Sequence, residues 1–337
     1  MASFTKRIFS VLAVFTLLVP TAYAKEWRFN NFLPETRPET SELEQYAADV
    51  KTKTNGEIDI QVYSGGSLGL KNTDVLRFLP KGAVDMSLAW ANYLGRDAED
   101  LSTVMVQGTI GSIDELKAAL PEVKAIYEEA FSDWDVVTTG YIALPMLQAS
   151  IFCRKEPVNT LEQLRGKKLR VWAKDQVDTF RRLGISAQII PQEEMYVAMK
   201  TGVVDCAVYP ALYAHTVSLQ EVSGYASYLY PMASGPYILG ISRDKWESLS
   251  TAHQQALTEA GNALWERTNS YDDDHQKELA ARAKLEQSNV KWLEDFPEED
   301  RKEFVEAITQ VWGELAEEAG GKAPEYRKRM LSALGRE

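Results

Sequence analysis

Hydrophobic and polar positions along this chain follow a repeating pattern that switches between period two and period 3.6. An apolar-rich stretch at 27–33 predicts a strand, and 39–54 carries Leu43, Tyr46, Ala47 and Val50 at helical spacing before Asn55-Gly56 stops it. The run 58–63 (IDIQVY) predicts a second strand, 73–79 a short helix ended by Pro80 and Gly82, and 84–88 a third strand. Ser112 with Glu115 forms a capping box that opens another helix, and 136–142 predicts a strand. A second, similar series follows: strands at 149–153, 168–172, 186–190 and 204–209, with helices at 161–164, 176–183 and 193–201 between them. Alternating strands and helices imply mostly parallel sheets with helices on both faces, and two such series imply two α/β domains.

The last third of the chain reads differently. From 243 to about 285 the pattern stays helical, with Ala256, Leu257, Ala260, Ala263 and Leu264 as an apolar stripe and a charged half from 272 to 287. One helix of that length outruns a single domain at about 1.5 Å per residue, so it is expected to lie across both as a spine. Two further helices are expected at 298–318 and 324–334. The expected division is 25–147 with 235–275 for one domain, and 148–234 with 276–337 for the other.

The N-terminus stands outside this pattern. Lys6 and Arg7 precede an apolar stretch at 8–19, and Ala22-Tyr23-Ala24 is a small-x-small cleavage site, so residues 1–24 read as a secretory signal peptide. The expected product is a soluble periplasmic protein that begins at Lys25. Its charge balance narrows the partners. The 337-residue chain has 37 Lys and Arg against 49 Asp and Glu, for a net charge of −12, with no basic block. Nucleic acid and anionic membrane surfaces both require clustered cations, and neither is expected as a partner. Cys153 and Cys206 are the two cysteines. In an oxidising compartment they can pair, or they can stand as buried thiols in adjacent strands.

Two motifs bear on an enzymatic reading. Gly65-Gly66-Ser67-Leu68-Gly69 matches the G-x-S-x-G nucleophile elbow and sits between a strand and a helix. Only about 40 residues separate it from the signal peptide, with room for one strand before the one it follows, where the hydrolase fold places several, and His253 and His275 lie in predicted helices rather than on loops, so a glycine-rich turn is the better reading. Asp272-Asp273-Asp274-His275 is compact, but neighbouring residues on a helix do not share a face, so a solvated surface is expected and no metal. The chain carries no phosphate-cradling glycine motif and no CxxC. No cofactor and no catalytic group is expected.

Arg170 is the strongest candidate for binding chemistry. It lies near the C-terminal end of the strand at 168–172, the end that opens into the ligand crevice of open α/β sheets. Its planar fork suits bidentate capture of a carboxylate. On the residues alone, a surface arginine remains the alternative.

Four segments carry a resemblance. They are Ser64-Gly65-Gly66-Ser67-Leu68-Gly69 after the second strand; Leu79-Pro80-Lys81-Gly82-Ala83-Val84-Asp85-Met86 leading into the third; LEQLRGKKLRV at 161–171; and YVAMKTGVVDCAVYP at 196–210. In order and spacing the chain resembles the periplasmic solute-binding proteins of TRAP transporters, the DctP family. The resemblance implies a two-domain, Venus-flytrap receptor that closes around an organic acid. It would act as a monomer and deliver its ligand to the small and large subunits of an ion-coupled membrane permease; a receptor of the same build that feeds a sensor is the alternative. It implies that Arg170 holds the ligand carboxylate. The family's second pocket arginine aligns near Ser150, with Arg154 four residues away. Trp90, Trp172 and Tyr209 fall at expected pocket positions where better-known members carry other residues. Together with Gln192 and Asn92 they suggest an apolar or aromatic monocarboxylate. Phe32, Tyr93 and Tyr213 complete the expected pocket.

Overall fold

The computed structural model describes residues 25–336. The expected signal peptide lies outside the described residues. The first lobe begins with β1 (Lys25–Asn30), α1 (Pro38–Lys53), β2 (Ile58–Tyr63), α2 (Val75–Phe78), β3 (Met86–Ala89), α3 (Glu99–Ser102), α4 (Ile113–Ser132) and β4 (Val136–Ile142). The chain then builds the second lobe from β5 (Leu147–Cys153), α5 (Leu161–Arg165), β6 (Lys168–Val171), α6 (Lys174–Arg182), β7 (Ser186–Ile189), α7 (Gln192–Thr201), β8 (Cys206–Pro210), α8 (Ala211–Ala214) and β9 (Tyr225–Met232). It returns to the first lobe for β10 (Tyr237–Ser242), α9 (Arg243–Glu247) and α10 (Thr251–Thr268). It ends with α11 (Asp274–Gln287), β11 (Lys291–Trp292), α12 (Glu298–Ala319) and α13 (Ala323–Ala333).

Each lobe is built on one sheet. The first has strand order β2-β1-β3-β10-β4 and the second β11-β9-β5-β8-β6-β7. The βαβ series run parallel, as expected: β1 beside β2 and β3, and β6 beside β7 and β8. The sheets are nevertheless mixed, because β10 pairs antiparallel with β3 and β4, and β5 pairs antiparallel with β8 and β9. Strands β9 and β10 have no counterpart in the sequence reading. Strand β10 is buried at every position, and β9 (YASYLYPM) holds Ser and Pro inside it, so neither shows alternation.

Local signals account for the helix ends. Ser112 accepts a hydrogen bond from the Glu115 amide at 3.2 Å, and the Glu115 carboxylate accepts from the Gly111 amide at 2.8 Å, so the capping box forms. Thr160 and Ser250 cap α5 and α10 in the same way. Helix α10 lies directly on the backbone of β4. A Cβ built at Gly261 would stand 1.9 Å from the Thr139 carbonyl oxygen, so only glycine permits this approach.

The expected continuous helix from 243 to about 285 is three helices instead. The break between α10 and α11, at 269–273, is where the chain passes from one lobe to the other. Asn269, Ser270, Asp272 and Asp273 offer the backbone local alternatives to helical hydrogen bonds. Tertiary contacts then hold the break. The Thr268 hydroxyl accepts from the Ala143 amide at 3.1 Å, Asp274 accepts from the Met146 amide at 2.7 Å, and Tyr271 is buried. Two other crossings, at 143–146 and 233–236, join the same lobes. Helix α12 packs on α6 and β9 of the second lobe. Helix α13, within the span expected to complete that lobe, lies on α4 of the first, where Arg329 pairs with Glu122 and Glu129.

Cys153 and Cys206 sit opposite each other in the β5–β8 ladder and form a disulfide. Of the two readings left open by the sequence, the paired one holds. Among the described residues no helix is long and apolar enough to cross a membrane.

Candidate ligand-binding cleft

A cavity lies between the lobes, at the ends of the parallel strands, and Arg170 forms its floor. Strand β6 presents Arg170 one residue before its end, and the side chain is 1 % exposed. Its Nε donates to the Ile190 carbonyl at 2.8 Å and its Nη1 to the Val208 carbonyl at 3.2 Å, which aims the remaining N–H groups of the fork into the cavity. The Trp172 and Tyr209 rings flank the guanidinium, with centroids 5.4 and 6.0 Å away. Among the described residues no carboxylate pairs with it; Glu193, the acidic group that acts on it, lies exposed at the start of α7. Burial therefore pushes the Arg170 pKa below its ordinary value. A guanidinium buried without an anion is costly, and a bound anion removes much of that cost.

The wall facing Arg170 is aromatic. Trp90 and Tyr93 meet edge to face at 4.8 Å, and Phe32 contacts Tyr93 and Tyr237 with ring centroids 5.7 Å apart in each case. The indole N–H groups of Trp90 and Trp172 are buried without partners, so each is free to donate to a bound molecule. On the second lobe, the Tyr209 hydroxyl donates to Gln192 Oε1 at 2.9 Å. Leu144, Leu147 and Met232 supply aliphatic surface, and Ser234 adds a hydroxyl bonded to Gln107.

Phe32, Trp90, Tyr93, Trp172, Gln192, Tyr209 and Tyr213 therefore line one cavity with Arg170. Three expected residues do not. Ser150 is fully buried in β5 beside Tyr209, its hydroxyl directed to the Gln148 carbonyl at 3.4 Å. Arg154 follows β5, which runs antiparallel to β8, so it emerges at the opposite end of the sheet from Arg170. There it bonds the Lys200 carbonyl at 3.2 Å, beside the disulfide. Asn92 bonds the Met105 carbonyl at 3.4 Å and faces an adjoining recess of about 430 Å³, which it shares with Tyr93, Trp172 and Asp175. Ser67 is exposed in a turn, and its amide bonds the Ser64 carbonyl at 3.2 Å.

The second cavity arginine is Arg37, which the sequence reading missed. It precedes α1 in the segment that follows the C-terminal end of β1, so the strand-end rule that selects Arg170 also reaches it. Arg37 is 2 % exposed and grips Glu39 with both ends of its fork, each at 2.9 Å. Tyr213 of the second lobe closes over this pair: its hydroxyl donates to Glu39 Oε1 at 2.6 Å, and the guanidinium carbon lies 3.4 Å from its ring centroid. Burial opposes both charges, but each partner outweighs it for the other. Arg37 is held well above its ordinary pKa and Glu39 below the usual carboxylate value.

The family model for bacterial extracellular solute-binding proteins, family 7 (DctP), matches residues 29–319. The chain belongs to this family. A solute-binding protein from Chromohalobacter salexigens is 26 % identical over 282 residues, covering 80 % of this chain and 82 % of the relative. Among solved structures, a TRAP periplasmic solute-binding protein from Sulfitobacter with bound β-D-galacturonate superposes with a TM-score of 0.78 at 23 % identity, over 92 % of this chain and 100 % of that one. A Bordetella pertussis extracytoplasmic solute receptor binding pyroglutamic acid gives 0.80 at 18 % identity, over 93 % and 100 %. This DctP-family protein is thus a receptor rather than an enzyme, with the two-lobed fold of TRAP solute-binding proteins.

Proposed function

We propose that this solute-binding protein captures an organic acid in the periplasm, with the ligand carboxylate on Arg170 and its body against the aromatic wall, and delivers it to a TRAP-type ion-coupled permease. The buried, anion-free guanidinium of Arg170 carries the reading. It has carbonyls to fix its aim, no acid among the described residues paired with it, and a cavity in front. The relatives support the ligand class: solved family structures hold galacturonate, glucuronate, pyroglutamic acid and malonate, all carboxylates. The walls argue for a more apolar body than a sugar acid. Phe32, Trp90, Trp172 and Tyr237 leave few partners for several hydroxyls, and each unpaired hydroxyl costs about 1–3 kcal/mol on burial.

In this reading the lobes are the domains expected from the sequence, 25–147 with 235–275 and 148–234 with 276–337, except that α13 sits on the first. Closure is a hinge motion about the crossings at 143–146, 233–236 and 269–273. The signal peptide places the mature receptor in the periplasm, where it acts as a monomer.

The test is thermal unfolding of the mature protein, refolded to strip carried-over ligand, against a panel of aliphatic, aromatic and sugar acids. A ligand at about 100 times Kd adds roughly 2.7 kcal/mol. A hit among aromatic or apolar acids that is lost in Arg170→Ala is the expected result. Hits confined to sugar acids would discard the aromatic preference, and a hit unchanged in Arg170→Ala would discard the carboxylate site.

A further inference from the structure

The cavity contains two arginines in unequal states. Arg170 is free of any acidic partner among the described residues, whereas Arg37 is locked to Glu39 by two hydrogen bonds of 2.9 Å. Glu39 is 5 % exposed and takes a third bond, from the Tyr213 hydroxyl at 2.6 Å. With these donors the carboxylate stays ionised, below its usual range. The other titratable groups on the cavity wall are tyrosines. Burial raises the pKa of Tyr93, Tyr209, Tyr213 and Tyr237 alike, so all four are neutral at working pH. Among the described residues that line the cavity, the buried charges thus come to a single positive one, on Arg170.

We propose that Glu39 sets the charge specificity of the cleft: by neutralising Arg37 it leaves Arg170 as the free cation among the described cavity residues, so that the site takes monoanions and excludes dicarboxylates. A second ligand carboxylate would be stripped of water among aromatic rings with no cation to receive it, and an unpaired buried charge is among the costliest arrangements in a protein. Without Glu39 the fork of Arg37 would become available on the cavity wall, and the same second carboxylate would gain a bidentate partner. Other members of the family are described as binding dianions, malonate in one from Rhodoferax ferrireducens and C4-dicarboxylates in one from Rhodobacter capsulatus. The fold itself therefore admits dianions, and any restriction in this chain must come from its own cavity residues. The inference rests on the proposed carboxylate site at Arg170.

The experiment is titration calorimetry of the refolded mature protein with acids paired by skeleton: butyrate with succinate, pentanoate with glutarate, and benzoate with terephthalate. Wild type is expected to prefer the monoanion of any binding pair by at least about tenfold, and Glu39→Gln to shift that ratio at least about tenfold toward the dianion. The double variant Arg37→Met/Glu39→Leu removes both charges together, keeps the net count at one, and should retain the monoanion preference. It also serves if Glu39→Gln does not fold. Wild type binding succinate or terephthalate as tightly as its partner would overturn the proposal. So would a folded Glu39→Gln with an unchanged ratio, or a double variant that prefers dianions. If wild-type dianion binding is abolished by Arg170→Ala, the Arg170 site stands and only the role of Glu39 falls. If no acid of any pair binds, both fall together.

Discussion

Replacing Arg170 separates a binding residue from a structural one, because the two roles move stability and affinity differently. In Arg170→Met the unliganded protein loses the charge-assisted bonds to Ile190 and Val208, about 1.5–3 kcal/mol each. It also no longer holds a bare guanidinium at 1 % exposure, whose desolvation costs several kcal/mol. The two terms nearly cancel, so the unliganded protein should change by less than about 2 kcal/mol, or roughly 4 °C in Tm. A ligand carboxylate held by Arg170, as proposed, would in contrast lose that cationic partner and stay buried. That costs about 3–5 kcal/mol, or roughly 150- to 5,000-fold in Kd. Arg170→Lys should recover only part of the affinity, because an ammonium cannot bond two carboxylate oxygens in parallel while reaching both carbonyls. The assays are thermal unfolding without ligand and calorimetry with the best acid from the panel. A variant that loses more than about 4 kcal/mol of stability yet binds within threefold of wild type would refute the argument, because Arg170 would then be a structural strut.

Three further outcomes follow from the packing. Gly261→Ala should lower Tm by several degrees, since its Cβ would stand 1.9 Å from the Thr139 carbonyl and α10 would have to lift off β4; overpacking of this kind costs about 1–3 kcal/mol or more. Asp175 is 6 % exposed and burial raises its pKa to about 7, above the unfolded value of about 3.9. Its folded form thus keeps a proton that the unfolded chain releases, and its contribution, intact below about pH 4, is lost as pH rises through 7. Asp175→Asn should accordingly flatten the fall in stability between pH 4 and pH 8, as read by urea unfolding at each pH. The Cys153–Cys206 disulfide closes a separation of 53 residues, so Cys153→Ala/Cys206→Ala should unfold at lower urea concentration by the equivalent of about 2–4 kcal/mol, with ligand affinity little changed because neither cysteine lines the cavity.

What could be read without coordinates was local. The alternation that defines β1, β2, β6 and β7, the 3.6-residue spacing in α1 and α10, and the cap at Ser112 are properties of single segments. They depend on residues within a few positions of one another. Arg170 belongs to this set, because a residue near the C-terminal end of a parallel strand points to the crevice whatever the remainder of the chain does. The strands β9 and β10 lack such a signature. They are buried on both faces or interrupted by polar residues, and what makes them strands is the neighbours they pair with. The break at 269–273 is partly of this kind: its polar residues permit a break, but the bonds that hold it come from Ala143 and Met146, more than 100 positions away.

The sequence by itself determined the alternating elements, the fold class, the family resemblance and the arginine at the end of β6. Tertiary structure alone decided which residues meet across the cleft. Tyr213 reaches Glu39 over 174 positions, and Arg37, two positions before Glu39 in sequence, becomes a cavity residue only once the second lobe closes over it. Local conformation follows from short-range sterics and periodicity, which a segment carries with it. A buried charge is neutralised or left free by groups that folding brings from distant segments, and that balance, +1 among the described residues at this cavity, exists only in three dimensions.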